Sequence, residues 1–200
     1  MHVAVKLRSA IEYRQRVEKV AQGYCISVAA AAKGSAYLEV LQSNTERIQG
    51  SLVLSGYDLE GGTGHSMIER AALAIEMLHA FVLCMEQDVD AEQALRAQHE
   101  AQIILANLET KEENRLKALS ITNRTLMLTS LARLPETSEA DKLHWQATER
   151  ALNPLHVGQV LAGADCHATN RVTPETVSFG KSIVEHRQAD LNELLIKLNS

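Results

Sequence analysis

The stretch AALAIEMLHAFVLCMEQDVD, residues 71–90, decides the fold class. From Ala71 to about Met85 it is apolar on nearly every side of a 3.6-residue repeat, which marks a helix enclosed by protein. Just upstream, Ser66 and Glu69 have the spacing of a capping box, so the helix is expected to start with Ser66 as its N-cap. Glu76 and His79 interrupt the run, which falls short of the roughly 18–20 apolar residues of a membrane span. The helix then meets an acidic end in which Glu86, Asp88 and Asp90 are separated by Gln87 and Val89. That end reads either as a carboxylate cluster for a cation or as the solvated end of a helix.

A helix of this kind needs other helices around it, and the composition supplies them. Apolar residues make up 46% of the 200, while aromatics are only 4%, so Ala and Leu are the main packing material. Ten Gly and three Pro are too few for a turn-rich β protein. The expectation is an all-α helical bundle in a single domain over residues 1–200.

The pattern predicts helices over 3–21, 24–42 and 45–57, then a loop at DLEGGTGHS, residues 58–66. Residues 91–117 form one helix or two, and 118–134 form a buried helix stopped by Pro135. A further helix starts near Ser138, and Asn153-Pro154 kinks or breaks it before LHVGQVLAG. ATNRVTP is a loop, and the stretch from Thr173 toward Lys181 has a good helix start.

Several classes of function are disfavoured. The net charge of −5 has both signs interspersed, unlike the basic stripe of a nucleic-acid binder. Cys25, Cys84 and Cys166 are unclustered and odd in number, so neither a zinc site nor a disulfide framework is expected, and Cys84 reads as a core residue. Asp165-Cys166-His167 is a poor metal site because adjacent residues point apart, and the GGTG of 61–64 lacks the following Lys of a phosphate loop. Residues 1–20 carry Lys6, Arg8, Arg14 and Arg16 without an uninterrupted apolar stretch, unlike a signal peptide. A cytoplasmic location with no membrane span is the expectation.

Taken in order, several segments resemble the trans-isoprenyl (polyprenyl) diphosphate synthases over about residues 44–184. Residues 71–90 resemble the family helix that carries Glu-x-x-His, here Glu76 and His79, followed by the aspartate-rich motif DDxxD. TERIQGSLVLSGY (45–57) stands where the family has Gly-Lys-Arg-x-Arg-Pro and an apolar helix. NPLHVGQVLAG (153–163) is similar to its Gly-Gln segment, SFGKSIV (178–184) to its Lys-Thr segment, and ITNRTLML (121–128) stands for the helix that begins with Gly-Asp.

The resemblance implies an isoprenoid-synthase-like bundle in which Mg²⁺, held by two aspartate-rich motifs, neutralises a leaving diphosphate. Here DDxxD has become Glu86-Gln87-Asp88-Val89-Asp90, an eroded motif in which Glu86 and Asp90, at i and i+4, could share one ion. The second motif is expected well beyond Lys181, yet only 19 residues follow it, with Asp190 and Glu193 an isolated pair. The bundle is therefore expected to lack the family's C-terminal helices.

The resemblance assigns diphosphate contacts to Arg47, His79, Arg96, Gln159 and Lys181. Against it, Glu46 replaces a lysine, Gln49 and Leu95 replace arginines, and Ser182 replaces a threonine. No catalytic residue and no metal or cofactor is assigned, Mg²⁺ being implied only for an enzyme. The expected function is that of a noncatalytic polyprenyl-synthase-like subunit or regulator, pairing with itself or with a catalytic prenyl synthase and retaining at most weak isoprenyl diphosphate binding. The alternatives are an active prenyltransferase component completed by another chain, or an unrelated helical interaction protein.

Overall fold

The computed structural model describes residues 10–30, 35–131, 138 and 153–164, and among these it contains helices and no strand. In chain order they are α1 (Ala10–Val28), α2 (Ala36–Ser43), α3 (Ile48–Leu59), α4 (His65–Gln87), α5 (Ala91–Ala106) and α6 (Glu112–Leu131). A seventh, α7, covers residues 153–162. The all-α expectation is met over the described residues. The stretches expected to be helical around Ser138–Pro154 and Thr173–Lys181 lie outside them, apart from Ser138 and the start of α7, as do the ATNRVTP loop and Asp165-Cys166-His167.

Helix α4 is the axis of the bundle, touching α1, α2, α3 and α5. Every residue from Ala71 to Leu78 is buried, as a helix apolar on all sides requires. Helix α3 is enclosed in the same way from Gln49 to Tyr57, because Gly50, Ser51, Ser55 and Gly56 leave room for close neighbours. Helix α7 lies directly against it. A Cβ on Gly158 would lie 2.7 Å from the Tyr57 amide nitrogen, and closer still to the Val53 carbonyl oxygen. A Cβ on Gly56 would lie 3.0 Å from the Leu155 carbonyl carbon, and closer still to its oxygen. The two backbones thus pack directly on each other through a reciprocal pair of glycines.

Several expected boundaries move, each for a local reason. Helix α1 continues to Val28 across the expected break at 21–24, since its buried stripe Tyr13, Val17, Ala21, Cys25 keeps helical spacing throughout. Helix α4 begins at His65, so Ser66 lies inside the helix and Gly64 stands at the N-cap position. The cause is Tyr57, whose hydroxyl accepts the Gly64 amide at 2.9 Å while its ring fills the space beside Gly62. The GGTG segment is therefore a tight strap over an aromatic ring. The 91–117 region resolves into two helices, and α6 starts at Glu112, earlier than the expected 118. Pro154 falls in the first turn of α7, where its missing N–H costs nothing.

The acidic end of α4 closes the helix. Asp88 adopts the left-handed region at φ 54°, and the Val89 amide bonds back to the Cys84 carbonyl at 3.0 Å. This is a Schellman-type ending, with Asp in place of the more usual glycine. Because α4 stops at Gln87, Glu86 and Asp90 do not share a continuous helix face, and the i, i+4 arrangement expected for a shared ion is not formed.

Candidate functional site

Among the described residues, a buried polar network is built around Arg47, at the junction between α2 and α3. Its backbone is left-handed (φ 51°, ψ 35°), which turns the chain sharply into α3, and its side chain is only 1% exposed. The Arg47 Nε–H donates to Glu18 Oε2 on α1 at 2.6 Å. Its Nη1 donates to the Leu41 carbonyl at 2.7 Å, satisfying an acceptor left open in the last turn of α2. The same Nη1 stands 3.7 Å from Glu76 Oε2.

Glu76 is fully buried on α4. Its Oε1 accepts the Gly50 amide at 2.7 Å, one of the unpaired donors in the first turn of α3. Its Oε2 accepts from the Asn44 side-chain amide at 2.9 Å. A carboxylate on one helix thus caps the N-terminus of its neighbour. Burial pushes the Glu76 carboxyl up to about 7, against the opposing pull of the Gly50 amide and the Arg47 guanidinium. Gly50 is required here, since a Cβ would meet Val17 Cγ1 at 2.6 Å and Glu76 Cγ at 3.2 Å.

A small cleft of about 260 Å³, lined by Glu18, Gln22, Cys25, Ile26, Gln42 and Arg47, opens on the Glu18 side of this network. Cys25 and Cys84 are both buried, and burial raises both thiols above their ordinary value. Cys84 has no exposed surface, as expected of a core residue.

Asp90 does similar structural work at the other end of α4. Its Oδ2 accepts from the Ser35 hydroxyl at 2.7 Å and from the Tyr37 amide at 3.2 Å, holding the start of α2. Burial alone would raise this carboxyl, but the bonds from Ser35 and from the amides of Tyr37 and Ala36 outweigh it and hold it below the ordinary value. Glu86 lies exposed on the last turn of α4.

The residues assigned to diphosphate contacts occupy different surroundings. Arg47 is enclosed at the N-terminus of α3. Gln159, on α7, donates to Glu60 Oε1 at 3.0 Å just past the C-terminus of α3. A 12-residue helix separates the two bonding sites by roughly 18 Å. Arg96 is 66% exposed on α5 and pairs with Glu92 at 2.7 Å, one turn away. His79 is half-buried on α4, one turn beyond Glu76, and Lys181 lies outside the described residues.

Sequence reasoning found Arg47 but missed Glu18 and Asn44, and it took Glu76 for part of a family motif rather than Arg47's buried partner. The available signal was Glu76 itself, because a carboxylate inside an enclosed helix must find donors. Glu18 carries no such mark, standing among other charges on α1.

Among the described residues, no group of three or more His, Cys, Asp or Glu side chains could hold a metal ion, and no helix is long and apolar enough to cross a membrane. Comparison with protein-family models, curated proteins and solved structures finds no match for the chain. What fold and site define is an α-helical bundle whose internal charges join four of its elements.

Proposed function

We propose that this chain is a noncatalytic helical subunit of the polyprenyl-synthase type, with an isoprenoid-synthase-like bundle, which works in the cytoplasm by association with itself or with an active synthase. The observation that carries this reading is the use to which Arg47 is put. A guanidinium that is to bind a diphosphate must present its N–H groups to the ligand. Here the Nε–H and Nη1 groups are turned to Glu18, Leu41 and Glu76, inside a surface that leaves 1% of the side chain exposed. Asp90, the best match to the aspartate-rich motif, is likewise spent on Ser35 and Tyr37.

Association is the role left to such a bundle, and large apolar side chains stand exposed on its outer helices. Leu95 and Ile103 lie on one face of α5, and Leu116 and Met127 on one face of α6, each about half exposed. The test of the reading is calorimetric titration with isopentenyl diphosphate, with and without Mg²⁺. No saturable heat is expected in either case. Saturable binding that disappears in Arg47→Lys would overturn the noncatalytic reading and favour a component completed by another chain.

A further inference from the structure

The charges inside the bundle do not balance. One guanidinium, Arg47, faces two carboxylates, Glu18 and Glu76, and the cluster carries an uncompensated negative charge when both are ionised. Glu18 is 26% exposed and reaches solvent, whereas Glu76 is 0% exposed. The cost of the excess charge therefore falls on Glu76, since burial in low dielectric penalises the ionised form.

Among the described residues, the elements packed on α4 bring it one further cation, Arg16 of α1, and that guanidinium is paired with Glu69 at 2.9 Å, two turns before Glu76. The charged groups acting on Glu76 are Arg47, from the α2–α3 junction, and Glu18, from α1. The other titratable group α1 turns toward the cluster is the Cys25 thiol, kept neutral by burial. Helix α2 turns Tyr37 to α4, bonding the Met77 carbonyl, and burial keeps that phenol neutral. The buried face of α5 is Ala94, Ala97, Ala101 and Leu105, and α3 supplies only the Gly50 amide.

We propose that the Glu18–Arg47–Glu76 cluster is a proton-binding latch: uptake of one proton by Glu76 leaves Arg47 and Glu18 as a balanced pair and tightens the junction of α1, α3 and α4. The protonated form has partners ready. Oε1 continues to accept the Gly50 amide. The new Oε2–H donates to Asn44 once that amide turns its oxygen toward it, exchanging one hydrogen bond for another. Near-neutral titration agrees with this geometry.

The direction of the effect follows from linkage. The folded form binds this proton more tightly than the unfolded chain, where the ordinary value is 4.5. Its stabilising contribution is complete below about 4.5 and is lost as pH rises through about 7. The test is urea unfolding of the full chain from pH 4.5 to 8.5, comparing wild type with Glu76→Gln, together with a ¹³C NMR titration of the Glu76 carboxyl. The eight histidines are common to both proteins, and the ¹³C titration assigns the remaining difference to Glu76 itself. The wild-type unfolding constant should rise relative to the variant's by roughly 100-fold across this range, and the Glu76 carbon should titrate near neutrality. Equal pH dependence of the two proteins, or a Glu76 midpoint in the ordinary carboxylate range, overturns the proposal. If Glu76→Gln does not fold, the wild-type titration alone decides. The inference concerns stability and stands or falls separately from the proposed function.

Discussion

Replacing Gly158 by Ala tests the packing of α7 on α3 more severely than any apolar truncation would. The new Cβ would meet the Tyr57 amide nitrogen at 2.7 Å, with the Val53 carbonyl oxygen nearer still. Ordinary contact for such atoms begins near ~3.5 Å, so the helices must part by roughly 0.8 Å or more. Both obstructing groups are backbone, and neither can rotate away. Overpacking of this kind costs typically about 1–3 kcal/mol, and more where the surroundings are stiff. Alanine's better helix propensity returns about 1 kcal/mol. With backbone on both sides the cost is taken at the upper end, about 3 kcal/mol, so the balance is a loss of about 2 kcal/mol, or roughly 5 °C in Tm for a chain of this size. Gly23→Ala is the matched control: it lies within α1 with nothing inside 4 Å of the new atom, and should gain about 1 kcal/mol. Urea denaturation of the three proteins at one pH measures both. If Gly158→Ala is as stable as wild type, the direct backbone contact between α3 and α7 is wrong.

The remaining expectations concern the charged network and the outer helices. Arg47→Ala leaves Glu76 buried beside Glu18 without its counter-ion, and should cost about 3–5 kcal/mol at pH 8; denaturant titration should show a smaller loss at pH 5, where Glu76 is protonated. Asp90→Ala removes the acceptor that holds the start of α2 and should cost about 1 kcal/mol. The native Asp90 contribution is present above the ordinary carboxylate value and is lost as pH falls through the depressed folded value, so the acid limb of the stability curve should flatten in this variant. Leu95→Glu combined with Leu116→Glu should weaken the proposed self-association in light scattering while leaving the stability within about 0.5 kcal/mol of wild type.

The centre of the fold was readable because α4 is apolar all round, a pattern that only an enclosed helix satisfies. Its neighbour α3 was legible as a helix but not as a second buried axis, since Gly50, Ser51, Ser55 and Gly56 carry no hydrophobic signal. Their importance lies in what they leave out. The capping box at Ser66 and Glu69 was overridden by a tertiary contact, the Tyr57 hydroxyl receiving the Gly64 amide. Local spacing cannot reveal such a contact. The same limit applied to Arg47. Its sequence position suggested a ligand contact, but its partners lie 29 residues before it, at Glu18, and 29 after it, at Glu76. Only the folded arrangement shows that they meet. At the end of α4, the carboxylates read either as a cation cluster or as a solvated helix end, and neither reading shows that Asp88 and Asp90 each adopt a left-handed backbone that ends one helix and begins another.

Arg47 and Asp90, which the resemblance assigns to a diphosphate and metal site, here hold helices together. A prenyl-transfer assay tests this most directly, with purified chain, an allylic diphosphate, isopentenyl diphosphate and Mg²⁺, and with extraction of any chain-elongated product. No product above the protein-free control is expected at any Mg²⁺ concentration. Turnover that is abolished by Arg47→Lys or by Asp90→Asn, with both variants folded, would contradict it.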